Sequence, residues 1–254
     1  MTLTLTPLRE IPFIRPGDDL GGIVLQALER TDIRLQDGDI LVFAQKVISK
    51  AEGRIVDLRT VTPSPRAREL ATVTEKDPRM VELVLCESSQ VLRAQPGVLI
   101  VEHKAGFVCA NAGIDHSNLG AGDDPEQWVL LLPEDSDVSA HNLRKQLEKV
   151  SGVGLGILII DSHGRAWRQG TVGISIGFSG LPGLVDLRGQ PDLFDYTLRI
   201  TQVGAGDELA AAASLVMGQA AEGTPVIHVR GFPYPLRDGA LKELIRPKEQ
   251  DLFR

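Results

Sequence analysis

Residues 156–170, G-I-L-I-I-D-S-H-G-R-A-W-R-Q-G, constrain this chain more than any other stretch. The apolar run Gly156 to Ile160 predicts a buried strand. It stops abruptly at Asp161, Ser162 and His163, then turns on Gly164 towards Arg165 and Arg168. A buried strand of this kind delivers a carboxylate and a hydroxyl to a cleft at its end. Guanidinium forks match phosphate oxygens bidentately, so the two arginines suit an anionic group. Carboxylate, hydroxyl and paired cations together point to a divalent ion bridging to a phosphorylated ligand.

The chain has 254 residues, 43% of them hydrophobic, enough for a sizeable core in one large domain or two smaller ones. Its formal net charge of -7, with no basic face evident, argues against a nucleic-acid partner. The two cysteines, Cys86 and Cys109, cannot build a disulfide framework or a cysteine-rich zinc site, and their apolar neighbours predict reduced, buried thiols. The N-terminus lacks the charged and apolar regions of a signal peptide, and no apolar run reaches membrane-spanning length. A soluble cytoplasmic protein without a membrane partner is the expectation.

Strands are expected at residues 3–5, 40–44, 98–101, 107–110, 128–132, 156–160, 174–178, 196–202 and 226–229. Helices are expected over residues 20–29, 138–150 and 207–217, with a charged helix and tail from residue 237. Ser64-Pro65 and Asp77-Pro78 carry helix-start chemistry, a capping side chain followed by a proline that forfeits no hydrogen bond. Strands and helices do not alternate strictly. The expected fold class is therefore α+β, with mixed or antiparallel sheets and flanking helices. A single module over residues 1–254 is anticipated, divisible into lobes of about 1–88 plus 200–254 and 89–199.

Familiar nucleotide signatures fail. Glycine is never followed by lysine, so no Walker motif exists, and the glycine-rich run 152–156 precedes a strand instead of following one. Gly173-Ile174-Ser175-Ile176-Gly177 matches the serine-hydrolase elbow, but a turn follows where that motif needs a helix. In Asn111 to Asn118, Asp115 suits the same cation as Asp161, and Asn118 suits a base, ribose or phosphate; an Asx-turn explains both equally well. Lys46, Lys50 and Arg54 follow a strand end and suit phosphates, or are solvated surface. Gln219 sits where a helix cap suffices, and Glu208 where the helix dipole explains it.

Four segments taken in order are more specific: A-Q-K-V-I-S-K-A-E-G-R (44–54), N-A-G-I-D-H-S-N (111–118), D-S-H-G-R-A-W-R-Q-G-T-V-G-I-S-I-G-F-S-G (161–180) and D-E-L-A-A-A-A-S-L-V-M-G-Q (207–219). Together they resemble the coenzyme F420:L-glutamate ligase (γ-glutamyl ligase) family. The resemblance runs from Ile11-Pro12-Phe13-Ile14 to residues 226–231.

It implies a family-specific α+β fold and a homodimer, without the flavin-binding domain fused to some relatives. It also implies GTP-dependent addition of L-glutamate to the lactyl carboxylate of the deazaflavin precursor F420-0 through an acyl phosphate, then further γ-linked glutamates. On the same basis Asp115 and Asp161 hold one divalent ion, Mg2+ or Mn2+, while Ser162 and Gln219 help hold a second, with K+ a further candidate. Ile11, Pro12, Phe13, Ile14, Gln45, Lys46, Lys50, Asn118, Met217 and Gly218 line the GTP pocket. Arg165 and Arg168 join the two aspartates as catalytic candidates. The competing readings are a metal-dependent phosphohydrolase or nucleotide-binding protein on this scaffold, and a serine hydrolase built on Ser175.

Overall fold

The computed structural model describes residues 2–117 and 125–251. In chain order its elements are β1 (Thr4–Pro7), α1 (Leu20–Arg30), β2 (Ile40–Ala44), α2 (Gln45–Ala51), β3 (Ile55–Asp57), α3 (Pro65–Thr74), α4 (Pro78–Cys86), β4 (Ser88–Gln95), β5 (Val98–His103), β6 (Val108–Ala110), β7 (Trp128–Leu130), α5 (Ser136–Ser151), β8 (Gly156–Arg165), β9 (Arg168–Ser179), β10 (Val185–Asp186), β11 (Gln202–Val203), α6 (Ala205–Met217) and β12 (Val226–Arg230). The fold is α+β, as expected.

Five strands form the central sheet in the order β1-β12-β2-β8-β9. Only the β2–β8 pair within it is parallel, with Ala44 opposite Ile160. Side chains alternate across a strand, and here both faces are covered. Leu41, Phe43, Ile157 and Ile159 join the larger core with residues of α1 and α5. Ile40, Val42, Leu158 and Ile160 join a second core beneath Leu209, Ala210 and Ala213 of α6. Each buried aliphatic side chain contributes about 1.5–3 kcal/mol. A one-residue slip of β8 would drive Asp161 into the place of Ile160, so the register is fixed. Asp39, buried beside β2, accepts hydrogen bonds from His228 and Arg230 of β12, which ties the antiparallel neighbour to the same register. Around this sheet lie a three-stranded sheet, β4-β5-β6, and two small pairs, β3-β7 and β10-β11.

Helix starts follow the sequence. Ser64 Oγ accepts from Ala67 N–H ahead of Pro65, and Asp77 accepts from Arg79 N–H ahead of Pro78.

Several expectations need correcting. The core strand does not stop at Ile160: β8 runs on to Arg165, hydrogen-bonded to β9, and the turn falls on Ala166 and Trp167. Pairing with β9 satisfies the backbone, so the polar side chains continue a strand instead of ending one. Of residues 196–202, only Gln202 enters a strand. Asp192 Oδ1 accepts from the N–H groups of Phe194 and Tyr196 and folds that segment into turns. The tail after residue 237 holds short 3-10 turns, Leu241–Glu243 and Lys248–Gln250, with Pro247 barring a continuous helix. Cys86 is exposed at the end of α4, whereas Cys109 is buried.

Ser175 lies within β9, and no helix follows it. The glycines around it serve packing: a Cβ at Gly173 would overlap Ser214 and the Ala210 carbonyl of α6, and one at Gly177 would overlap Ser136 of α5. Gly173→Ala should therefore lower the unfolding free energy by about 1–3 kcal/mol in urea titration. Gly164→Ala, which meets nothing within 4 Å, should leave it within about 0.5 kcal/mol. The two thiols should also separate. Burial, reinforced by Asp161, pushes the Cys109 thiol up to about 12. A disulfide exchange reagent should thus titrate Cys86 alone in the native protein, and both thiols after denaturation.

Candidate active site

Because β2 and β8 run parallel, their carboxyl ends leave the sheet side by side. β2 turns at once into α2, placing Gln45, Lys46 and Lys50 at that edge. β8 carries Asp161, Ser162 and His163 past the core. Asp115 arrives from a third direction. Its backbone N–H donates to the Leu130 carbonyl and its own carbonyl accepts from Leu130 N–H, which ties the 111–117 segment to the end of β7. Gln219 follows α6 and reaches Ser162, whose Oγ donates to Gln219 Oε1 at 2.8 Å. These segments wall one open cavity of about 2230 Å³.

Charges in the cavity are paired with care. Lys46 Nζ lies 2.7 Å from Asp115 Oδ2 and donates to Ser117 Oγ at 2.5 Å. Ser117 donates its backbone N–H to Asp115 Oδ1 and its hydroxyl to Oδ2. Burial pushes the Asp115 carboxyl up, but the bonds from Lys46 and Ser117 outweigh it and leave the group below the usual carboxylate range. Burial, helped by Lys46, lowers the Lys50 ammonium.

Asp161 Oδ2 accepts from His163 Nε2 at 2.9 Å. Phe107 packs against the His163 ring at 5.4 Å between centroids, and His103 stacks on Phe107 from beyond. Burial pushes His103 down to about 4, so that ring is neutral packing at pH 7. The Asp161 carboxylate is thereby fixed through one oxygen, while Asp161 itself lines the cavity.

The donor set can be tested against a metal. Asp115, Asp161, Ser162 and Gln219 offer only hard oxygens, which suits Mg2+, Mn2+ or K+ better than a thiolate-seeking ion. Among the described residues no group of three or more His, Cys, Asp or Glu side chains could hold an ion. By donor type the two carboxylates and neutral oxygens suit an ion whose shell is completed by substrate oxygens; in this structure Asp115 is bonded to Lys46 and Ser117, and Ser162 to Gln219.

Of the residues singled out in the sequence, Ile11, Pro12, Phe13, Ile14, Gln45, Lys46, Lys50, Asp115, Asp161, Ser162, Arg165, Arg168, Met217, Gly218 and Gln219 all line the cavity. Asn118 lies outside the described residues. Arg54 does not line it; the side chain donates to the Leu132 carbonyl and pairs with Glu87. His116 bonds the Trp128 carbonyl through Nδ1. Sequence reading missed Ser117, which braces the Lys46–Asp115 pair, and the wall from β4 to β6 that includes Leu92, Arg93 and Val108. Ser117 gave the small signal of a hydroxyl two residues after Asp115, the spacing of an Asx-type turn.

The family described as "F420-0:Gamma-glutamyl ligase" matches residues 9–231. The chain is 43% identical over 256 residues to the coenzyme F420:L-glutamate ligase of Methanothermobacter thermautotrophicus, covering all of both chains. It is 45% identical over 257 residues to that of Methanopyrus kandleri, covering 100% of this chain and 98% of the relative. It is 40% identical over 254 residues to that of Archaeoglobus fulgidus, covering 100% of this chain and 97% of the relative. With its fold, its cavity and this full-length likeness, the chain belongs to the F420-0:γ-glutamyl ligase family.

Proposed function

We propose that this chain joins L-glutamate to the lactyl carboxylate of F420-0 at the expense of GTP, and then adds further glutamates through γ-linkages. The observation that carries the reading is the single cavity shared by Asp115, Asp161, Ser162 and Gln219 with the wall of Ile11 to Ile14, Gln45, Lys46 and Lys50. The names of the relatives support the acceptor and the amino acid. At about 2230 Å³ the cavity exceeds the roughly 300–1,000 Å³ of a one-ligand site, which suits several substrates held together.

A carboxylate is a poor acylating agent. In the first step a carboxylate oxygen of the acceptor attacks the γ-phosphorus of GTP, the bond to the β–γ bridging oxygen breaks, and GDP leaves. In the second, the glutamate amine attacks the acyl carbon of the resulting acyl phosphate, sheds a proton, and inorganic phosphate leaves. Both steps need positioning and charge neutralisation more than covalent help from the protein. Gln45 is buried with its Nε2 unpaired among the described residues, so its amide is a donor left for a ligand oxygen. Lys46 and Lys50 supply positive charge beside it. Asp115 and Asp161 would hold one divalent ion, Mg2+ or Mn2+, and Ser162 and Gln219 would help hold a second, with K+ a further candidate. Such ions, when bound, offset charge on the terminal phosphates and on the oxyanion. His163, wedged by Phe107, keeps the Asp161 carboxylate in one orientation.

Cytoplasmic placement accompanies the need for GTP, and no helix among the described residues is long and apolar enough to cross a membrane. A homodimer completes the reading. Leu193, Phe194 and Ile200 are 97%, 89% and 87% exposed, apolar side chains that a second copy would cover.

Purified protein supplied with F420-0, GTP, Mn2+ and L-glutamate should give a product heavier by one or more glutamyl residues, with GDP release dependent on glutamate. Asp161→Asn should lower kcat by about 10²-fold or more with Tm unchanged. Glutamate-independent GDP release would point to a phosphohydrolase and sink the ligase reading. Light scattering should find a dimer, and Phe194→Asp should shift it to monomer.

A further inference from the structure

The far end of the cavity is built unlike the nucleotide wall. The tip of the β8–β9 hairpin contributes Arg165, Trp167 and Arg168 to its lining, and β4 to β6, of which β6 packs near β8, contribute Leu92, Arg93 and Val108. Trp167 occupies the two-residue turn with φ at 64°, in the left-handed region where glycine or asparagine is the ordinary choice. Its side chain is 90% exposed, so burial within this chain does not compensate the strained backbone. Trp167 lines the cavity, so its exposed ring is open to a bound molecule. In the same lining Val108 is 41% exposed and Leu92 half-buried, a second apolar surface.

Among the described residues neither adjoining arginine has a carboxylate partner. Arg168 makes no ion pair among the described residues, and Arg165 donates only to the Gln169 carbonyl at 3.3 Å. Arg165 also stands four residues beyond Asp161 on β8, about 13 Å along the strand. That spacing puts Arg165 near the hairpin tip and Asp161 at the end of the core run.

We propose that this end is the acceptor subsite, in which the Trp167 indole stacks on the flat heteroaromatic ring of the acceptor while Arg165 and Arg168 bind anionic oxygens on its arm. The arm then runs inward and brings its carboxylate to Asp115 and Asp161. The assignment rests on the ligase reading above for the identity of the acceptor. It adds Trp167 as the residue that selects a planar ring, and it moves the two arginines from the transferred phosphoryl group to the acceptor.

The test uses the full chain and its Trp167→Ala, Trp167→Phe and Arg165→Gln/Arg168→Gln variants. Acceptor KM is measured at saturating GTP and glutamate, and GTP Kd by equilibrium binding. Trp167→Ala should raise acceptor KM about tenfold or more, with GTP Kd unchanged; Trp167→Phe should keep most of the affinity. The double arginine variant should raise KM for F420-0 and flatten its salt dependence. Unchanged acceptor KM in Trp167→Ala overturns the proposal, and so does a matching loss of GTP affinity, which would put the hairpin in the nucleotide subsite. Equilibrium dialysis with the deazaflavin ring compound lacking the acidic arm separates this proposal from the ligase reading. Ring binding that wild type shows and Trp167→Ala loses supports the subsite even without ligation. Equal ring binding by both overturns it even when wild type ligates normally.

Discussion

The parallel pairing of β2 with β8 is the constraint on which the rest depends. In a sheet otherwise made of antiparallel neighbours, this pair alone sends two carboxyl ends out on the same edge. Ala44 opposite Ile160 means that Gln45 and Asp161 are the next residues on each chain. A one-residue shift of either strand would carry a polar flanking residue, Gln45 or Asp161, into a place that an apolar side chain now fills. The register is thus set by the cores, and the position of the chemistry follows from the register.

Beyond that edge the two strands diverge, and the divergence makes the cavity. β2 gives way to α2, whose Val47 and Ile48 return to the larger core while Lys46 and Lys50 face the opening. β8 stays extended because β9 keeps its backbone paired, and its side chains pass from buried to exposed as the sheet runs out of covering helices. A helix on one side and a free hairpin on the other leave a wide opening where a continued sheet would have left none. Gln45, Lys46 and Lys50 lie on the helix side, and Arg165, Trp167 and Arg168 on the hairpin side.

Much of this was legible in the sequence, for identifiable reasons. An apolar run as dense as Ile157 to Ile160 can only be a core strand, and the acidic residue after it must leave the core. Serine or aspartate before proline announces a helix start by local hydrogen bonding, and both such sites hold. The continuation of β8 was hidden because Asp161, Ser162 and His163 carry no strand pattern of their own; their conformation comes from β9, a tertiary partner. The turn was misplaced for the same reason. Gly164 looks like the turn residue, yet register with β9 puts Trp167 in the left-handed position. Residues 196–202 alternate apolar and polar well enough to suggest a strand, but Asp192 captures two backbone N–H groups and curls the segment. The bond between Lys46 and Asp115 spans 69 positions, and sequence alone gives no measure of it.

The absence of a phosphate-binding loop from the sequence has a physical counterpart in how this cavity is assembled. A Walker loop cradles phosphates with consecutive backbone N–H groups from one short segment, so a motif can announce it. Here the polar groups come from separate places: α2, the turn holding Asp115, the outer half of β8 and the end of α6. Each contributes one or two side chains, and each is individually ordinary. Their meeting depends on the shared core, so a substitution that loosens Gly173 against α6 acts on Gln219 and Ser162 together, since Gln219 also donates to Ser214. A site distributed in this way ties recognition to the integrity of the whole fold, which is why its parts read as a set in the sequence and as little when taken alone.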